Sequence, residues 1–288
     1  MKILITGITG TLGRQVLSML LENSRIEIYG ISRDEQKQRA IPRHPNLHLR
    51  VGDIRDSDTM AELFNDMEYV NFIYHFAALK CVDTLESWPM EAVRTNILGT
   101  QNVLLFAKKV MCNKVIFTST DKAVYPINAY GHSKAIAEKM VLNASPTNVV
   151  CRYGNILGSR GSFLPSLVKT LKEKKCAYIT DQAMTRFWMT IEEVATFVVH
   201  CGETQSLTGL QIPKKMYSSS VLDLVQAVAE IIGVKDYEIK NVGIRPGEKI
   251  HESIQTKEEE ALTNYTHSNE CLMTKKKLKE LLSGLVSQ

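Results

Sequence analysis

The chain has 288 residues, 44% of them hydrophobic and 23% charged, a balance that excludes disordered, collagenous and low-complexity classes and allows one large or two unequal folded domains. Thirty-five Lys and Arg against 31 Asp and Glu leave a formal charge of +4, too small and dispersed for nucleic-acid binding but compatible with an anionic small ligand. Six cysteines, from Cys81 to Cys271, form neither a CxxC pair nor a zinc spacing, so they read as reduced thiols and no metal site is expected.

In chain order, β-rich runs at 2–6, 26–32, 47–51, 70–77, 115–119 and 149–153 alternate with amphipathic stretches at 12–22, 59–67, 96–109 and 130–142. Apolar strands separated by helices predict a parallel sheet covered on both faces. Right-handed crossovers make it a doubly wound α/β sheet of Rossmann type, with its ligand crevice at the carboxyl ends of the strands. Beyond about residue 155 the units shorten: helix 164–174, strand 177–180, helix 191–201, strand 210–213, helix 221–232 and a loop over 243–248. This pattern predicts a dinucleotide-binding region over 1–155 and a smaller C-terminal substrate-binding lobe over 156–288, without a linker between them. Near the C-terminus, Lys275, Lys276, Lys277 and Lys279 precede Leu281, Leu282, Leu285 and Val286. That reads as a solvated or subunit-contacting helix, with a basic membrane-surface anchor as the alternative. No leader pattern precedes Gly7 and no uncharged apolar run spans a bilayer, so the expectation is a cytoplasmic protein without a transmembrane segment.

Gly7, Gly10 and Gly13 lie in TGITGTLG, directly after the first strand and before the first helix. Side-chain-free positions there let backbone amides approach a pyrophosphate at a helix N-terminus, with Thr9, Thr11 and Leu12 completing the turn. At the end of the second strand, Ser32 and Arg33 could hold a 2′-phosphate, whereas Asp34 could accept from a free 2′-hydroxyl; the arginine favours NADP over NAD. Asp53, followed by Ile54, could reach the adenine amino group or cap the next helix.

Ser119-Thr120-Asp121-Lys122 follows the fifth strand, and Tyr130 and Lys134 follow at helical spacing. A Tyr and Lys four apart share a helix face, so the ammonium can lower the phenol's pKa from near 10. Thr120 ends a strand at the sheet's carboxyl edge, where its hydroxyl, Tyr130 and a nicotinamide could converge on a substrate carbinol.

Together these residues resemble the extended short-chain dehydrogenase/reductase superfamily, through TGITGTLG and YGHSK. More narrowly, HFAALK, TNILGTQNV, STDKA with PINAYGHSK, RYGNILGSRGS, MTRFW and VGIRPGEKIHE resemble the CapD-like polysaccharide-biosynthesis group, specifically its soluble UDP-N-acetylglucosamine 4,6-dehydratases. The resemblance implies a tightly bound, recycled NADP, with NAD as the alternative. It also implies UDP-N-acetylglucosamine as substrate and a homodimer or higher homo-oligomer. Carried onto matching positions, Tyr130 becomes the base for the carbon 4 hydroxyl, assisted by Thr120 and Lys134. Asp121 becomes the acid for the departing carbon 6 hydroxyl and Lys122 the base for the carbon 5 proton. Those roles require a protonated Asp121 and a neutral Lys122, for which a shared proton would suffice. Ala77, Ala78 and Lys80 would line the nicotinamide half, with Lys80 also meeting substrate, while His75 could line the cofactor or simply be packed. Asn155, Arg186 and Arg245 would grip sugar and diphosphate, Glu248 the uridine ribose, and Asn96 would support the backbone. Other readings are a UDP-sugar 4-epimerase or reductase, which needs no Asp121-Lys122 pair, and a non-catalytic nucleotide-binding sensor on the same fold.

Overall fold

Val, Ile and Leu fill the early strands because a parallel sheet is covered on both faces, and the computed structural model, which describes residues 1–286 apart from the side chains of 64, 66, 260 and 261, has that arrangement. The first half runs β1 (Lys2–Thr6), α1 (Thr11–Leu21), β2 (Glu27–Ser32), α2 (Glu35–Arg39), β3 (Leu47–Val51), α3 (Ser57–Asp66), β4 (Phe72–His75), α4 (Val82–Ser87), α5 (Pro89–Ala92), α6 (Gly99–Lys109), β5 (Lys114–Thr120), α7 (Ala129–Ala144) and β6 (Val149–Tyr153). There follow β7 (Asn155–Ile156), α8 (Phe163–Lys174), β8 (Cys176–Ile179), β9 (Thr185–Met189), α9 (Ile191–Glu203), β10 (Gly209–Gln211), β11 (Tyr217–Ser220), α10 (Val221–Ile231), β12 (Glu238–Asn241) and α11 (Lys275–Val286).

By packing, the chain forms two units. The first comprises Met1–Ser119, Asn128–Arg152 and Ala195–Gln211; the second comprises Thr120–Ile127, Tyr153–Val194 and the chain from Ile212 onward. The units are therefore interleaved in sequence rather than divided only near residue 155.

The first unit carries a seven-stranded sheet in the order β10-β6-β5-β4-β1-β2-β3, with β1 parallel to both β2 and β4. The strand order reverses beside β1, the switch point at which doubly wound sheets bind ligands. Leu4, Ile31, Ile73, Val103, Phe106 and Val115 are buried in one of its cores, each contributing about 1.5–3 kcal/mol by removal from water. The helix expected over 96–109 begins instead as a π-helical turn, Val93–Leu98, before α6. Widened turns of this kind commonly accompany functional sites.

The second unit pairs β11-β9-β7 and β12-β8 in two small sheets. The short strand β11 escapes sequence reading because YSSS has no apolar alternation; tertiary contact decides it, with Ser219 Oγ taking the Trp188 indole N–H at 2.9 Å. The apolar face of α11 is spent on this unit's core through Leu278, Leu282 and Val286. Its basic side meets acidic residues of α10, Lys275 with Asp223 and Lys279 with Glu230. This removes the membrane-anchor alternative, since the face an anchor would insert is already covered.

In the first unit, Arg152 Nη2 and Nε bond the two Glu138 carboxylate oxygens at 2.7 and 3.0 Å, with both side chains buried. Glu138→Ala would leave the buried guanidinium without its carboxylate, so we expect a loss of about 3–5 kcal/mol of stability. Urea denaturation reads this directly, and a variant as stable as the parent would contradict the account.

Candidate active site

Gly7 follows β1 at φ +70°, and its amide donates to the Ile31 carbonyl at 2.8 Å. A Cβ on it would stand 2.8 Å from the Ala77 backbone nitrogen, and one on Gly13 would stand 2.5 Å from the Gly7 carbonyl oxygen. The turn therefore excludes side chains, as close backbone approach to a pyrophosphate requires. Gly10 is the N-cap of α1 and places no side-chain acceptor on the helix's first turn, so the positive end of the macrodipole faces this cradle. Thr9 is buried in the turn, and Thr11 and Leu12 open the helix. These residues fit a dinucleotide.

At the end of β2 several expected cofactor contacts are engaged within the protein. Ser32 Oγ accepts from Gln38 at 2.9 Å. Asp34 caps α2 by accepting from the Lys37 amide at 2.9 Å and pairs with the Lys37 ammonium. Asp53 accepts from Arg55 Nε at 2.8 Å, and its carboxylate lies 3.9 Å from Arg33. It does not cap the following helix: Asp56 does, taking the amides of Asp58 and Thr59. Ile54 is buried, and Gly99 packs on it closely enough that a Cβ there would meet Ile54 Cδ1 at 2.7 Å.

Tyr130 and Lys134 stand on α7, whose N-cap Asn128 accepts from the Gly131 amide at 2.6 Å. Asn96, in the π-turn, brackets Leu79 by accepting from its amide at 2.8 Å and donating to its carbonyl at 2.9 Å. The same amide group donates to Ser133 Oγ at 2.9 Å, and Ser133 donates to the Tyr130 carbonyl at 2.7 Å. Asn96 is thus the backbone support expected of it, and it ties the π-turn to the helix bearing Tyr130. Lys134 Nζ lies 3.8 Å from the centre of the Phe117 ring. Burial pulls its pKa down to about 7, with Glu138 opposing, so at neutral pH the amine is divided between its charged and neutral forms. His75 bonds the hydroxyls of Thr6 and Thr100 at 2.7 and 3.0 Å. Burial, with Lys134 adding, lowers its pKa to about 3, which makes it a neutral packed histidine. Ala77 donates its amide to Thr6 Oγ1 at 3.2 Å; Ala78 is half-buried and Lys80 exposed.

In the second unit, Thr120 caps a one-turn 3-10 helix over Asp121–Ala123. Its hydroxyl donates to Asp121 Oδ1 at 2.9 Å. Lys122 Nζ donates to Asp121 Oδ1 at 3.0 Å and Asn155 Oδ1 at 3.2 Å, and lies 3.3 Å from Glu252 Oε1. Arg186 Nε is 3.8 Å from Glu252 Oε1 and Lys249 Nζ is 3.9 Å from Glu252 Oε2. Burial raises the Asp121 pKa, Glu252 adds to the rise, and Lys122 opposes it. Burial works against the charge on Lys122, but Asp121 and Glu252 more than offset it and raise its pKa. At rest two carboxylates hold Lys122 as the ammonium, so the neutral amine required when it acts has to arise by proton transfer.

Asn155, expected on sugar or diphosphate, instead holds Lys122 and donates to the Phe187 carbonyl at 3.1 Å. The Arg186 fork is committed to the Thr185 and Ile250 carbonyls at 2.8 and 3.1 Å, so it is not a free phosphate clamp. Glu248 accepts from the Arg245 amide at 3.1 Å, closing a turn, while the Arg245 side chain stands in an exposed loop. Sequence reading assigned no role to Lys249 and Glu252. Both lie in RPGEKIHE, but only the fold shows that Glu252 meets Lys122 and that Lys249 meets Glu252. Among the described residues no helix is long and apolar enough to cross a membrane, and no three His, Cys, Asp or Glu gather to hold a metal ion.

A family model described as polysaccharide biosynthesis protein matches residues 3–275. A UDP-glucose 4-epimerase of Rickettsia rickettsii (strain Sheila Smith) is 41% identical over 273 residues, covering 90% of this chain and 79% of the relative. Among solved structures, Pen from Bacillus thuringiensis superposes with a TM-score of 0.90 at 31% identity, covering 98% of this chain and 97% of Pen. DesIV, a dTDP-glucose 4,6-dehydratase from Streptomyces venezuelae solved with NAD and TYD, shares the fold with a TM-score of 0.81 at 20% identity, covering 100% and 96%.

The burial of Lys134 has a measurable consequence. Because burial disfavours its charged form, the Lys134 side-chain nitrogen should lose its proton as pH rises through about 7, far below an ordinary lysine near 10.4. Nitrogen-15 NMR of lysine-labelled protein checks this, with Lys134→Met assigning the resonance; a midpoint near 10 would contradict it.

Proposed function

The chain belongs to the polysaccharide biosynthesis protein family of the extended short-chain dehydrogenase/reductases, and from that premise we propose that it is a UDP-N-acetylglucosamine 4,6-dehydratase. The observation that carries the reading is the Thr120-Asp121-Lys122 arrangement: a buried carboxyl with a raised pKa, bonded to a hydroxyl and an ammonium. Burial favours the neutral form of such a carboxyl, so it can take a proton from the neighbouring ammonium and donate it to a departing hydroxyl. A nucleotide-sugar 4-epimerase, which oxidises and re-reduces carbon 4, has no leaving group to protonate.

A bound nicotinamide dinucleotide would supply the reversible hydride acceptor that makes carbon 4 a ketone and later restores hydride at carbon 6. Tyr130 takes the proton of the carbon 4 hydroxyl, with Thr120 and Lys134 assisting. The carbon 5 proton, made acidic by the neighbouring ketone, passes to Lys122, and Asp121 protonates the carbon 6 hydroxyl as water leaves. For this, one proton first moves from Lys122 Nζ to Asp121 Oδ1, a separation of 3.0 Å, giving an amine base and a carboxylic acid in one step. Elimination then needs no proton from solvent. Asn155 and Arg186 serve by holding Lys122 and Glu252, while Lys80 is assigned to the substrate beside the nicotinamide, Arg245 to the diphosphate and Glu248 to the uridine ribose.

We assign NAD, rather than the NADP favoured by Arg33 alone, as the recycled cofactor. Asp53 and Asp34 stand beside Arg33 in the sequence turns that would meet the ribose, and Asp53 lies within 3.9 Å of its guanidinium. Carboxylates there repel a 2′-phosphate. DesIV, of the same fold, was solved with NAD. The nucleotide sugar is met in the cytoplasm by a homodimer or higher homo-oligomer, for which exposed Leu98, Leu105 and Ile136 in the first unit supply apolar surface.

A second reading, UDP-sugar 4-epimerase, is favoured by the name of the Rickettsia relative. Incubation with UDP-N-acetylglucosamine in deuterated water separates the two. The dehydratase yields a 4-keto-6-deoxy sugar carrying deuterium at carbon 5, and Asp121→Asn lowers its formation at least 100-fold, within the range of general acid catalysis. A 4-epimer with carbon 6 intact would make the epimerase the better reading.

The glycine cradle generates a separate expectation: in Gly13→Ala the new methyl is driven against the Gly7 carbonyl, so the variant should be purified without dinucleotide. Absorbance and mass analysis of material released on denaturation measure the content, and full occupancy with NAD would show that the cradle tolerates the methyl.

A further inference from the structure

We propose that Glu252 is a positioning residue whose carboxylate sets the protonation state of the Asp121–Lys122 pair. The inference rests on and deepens the dehydratase reading of the same side chains, but the quantity it predicts, the ionisation of Asp121, exists in the resting protein without turnover.

The geometry carries the argument. Lys122 Nζ has three acceptors, Asp121 Oδ1 at 3.0 Å, Asn155 Oδ1 at 3.2 Å and Glu252 Oε1 at 3.3 Å. These match its three protons, so the ammonium is fully satisfied and presents no lone pair. One ammonium cannot neutralise two buried carboxylates. Glu252 has three cations within 3.9 Å: Lys122 from the turn after β5, Arg186 from β9 and Lys249 from its own loop. Asp121 has Lys122 and the Thr120 hydroxyl, and its second oxygen is buried without a hydrogen-bond partner. When the cluster binds an extra proton, it therefore goes to Asp121, while Glu252 stays ionised. Neighbouring His251 is turned to the Thr185 hydroxyl at 2.8 Å.

The backbone holds Glu252 in place for this purpose. Its amide donates to Ser268 Oγ at 3.0 Å and its carbonyl accepts from the Ser268 amide at 2.9 Å. A fixed negative charge beside Asp121 favours the neutral acid over the carboxylate, and beside Lys122 it favours the ammonium over the amine. Both effects raise the number of protons the pair holds at a given pH. Without Glu252, Asp121 would be the sole carboxylate for Lys122 and would be held ionised, unable to act as an acid.

In Glu252→Gln, which keeps shape and loses charge, both members of the pair should release protons at lower pH. Full-length protein labelled with carbon-13 at the aspartate carboxyls is titrated by NMR, with Asp121→Asn assigning the resonance. The expected result is an Asp121 midpoint lowered by about one pH unit or more in Glu252→Gln, a tenfold or larger change in acidity, with Glu252→Asp lying between it and the parent. Should Glu252→Gln fail to fold, Glu252→Asp alone must show the smaller shift in the same direction. An unchanged Asp121 midpoint in a folded variant overturns the proposal, whatever the product analysis says. Where the parent eliminates water from UDP-N-acetylglucosamine, both limbs of the pH–rate profile should move to lower pH in Glu252→Gln. A purely structural role would lower the plateau and leave the limbs in place. Absence of elimination by the parent, with the NMR shift present, would sink the dehydratase reading and leave the role of Glu252 standing.

Discussion

A half-buried ammonium shared by two buried carboxylates is the constraint on which the proposed chemistry depends. Lys122 lies between Asp121 and Glu252, with Asn155 as its third acceptor. Taking such charges out of water costs several kcal/mol per ion, repaid only when geometry and hydrogen bonding are satisfied. Here they are nearly satisfied, and the exceptions are informative: one oxygen of Asp121 and one of Glu252 lack hydrogen-bond partners. On Asp121 the unmet demand favours protonation. Glu252 has the compensating charge of Arg186 and Lys249 and remains ionised. Two chemically similar groups are thereby driven apart, the condition under which one acts as an acid and the other as a fixed charge.

The first unit uses burial differently. Its lysine, Lys134, has a phenyl ring beneath the ammonium rather than a carboxylate in contact, so desolvation prevails and the pKa falls to about 7. Lys134 is buried and Lys122 half-buried, yet Lys122 is pushed up and Lys134 down, because Lys122 has two carboxylates within hydrogen-bonding or ion-pair reach. Asn96 and Ser133 then fix the backbone around Tyr130 through a side-chain relay into the π-turn. A widened helical turn puts an amide side chain where a regular helix would not, which is its structural use here.

Much of the candidate site was legible because its residues lie close together in sequence. The glycine turn, the Tyr130-Lys134 spacing and Thr120 at a strand end each belong to one local piece of backbone, so periodicity and position sufficed, while Asp121 and Lys122 were picked out by the family resemblance of the same run. Residues assigned one by one to ligands fared less well. Arg186, Asn155, Asp34 and Glu248 have hydrogen-bonding capacity that suits a substrate or cofactor, but the fold directs it to carbonyls, amides and side chains of the protein. A side chain's type says what it can bind, whereas its neighbours decide what it does bind.

By itself the sequence determined the alternation of strand and helix, the parallel doubly wound sheet and the glycine cradle. All are written in spacings of a few residues, where steric and periodic rules act locally. Only the tertiary structure decided that Thr120–Ile127 leaves the sheet unit while Ala195–Gln211 returns to it, that α11 spends its apolar face on a core, and that Glu252 meets Lys122 across 130 positions. Such contacts are set by packing and charge compensation between distant segments, and a local pattern carries no record of them.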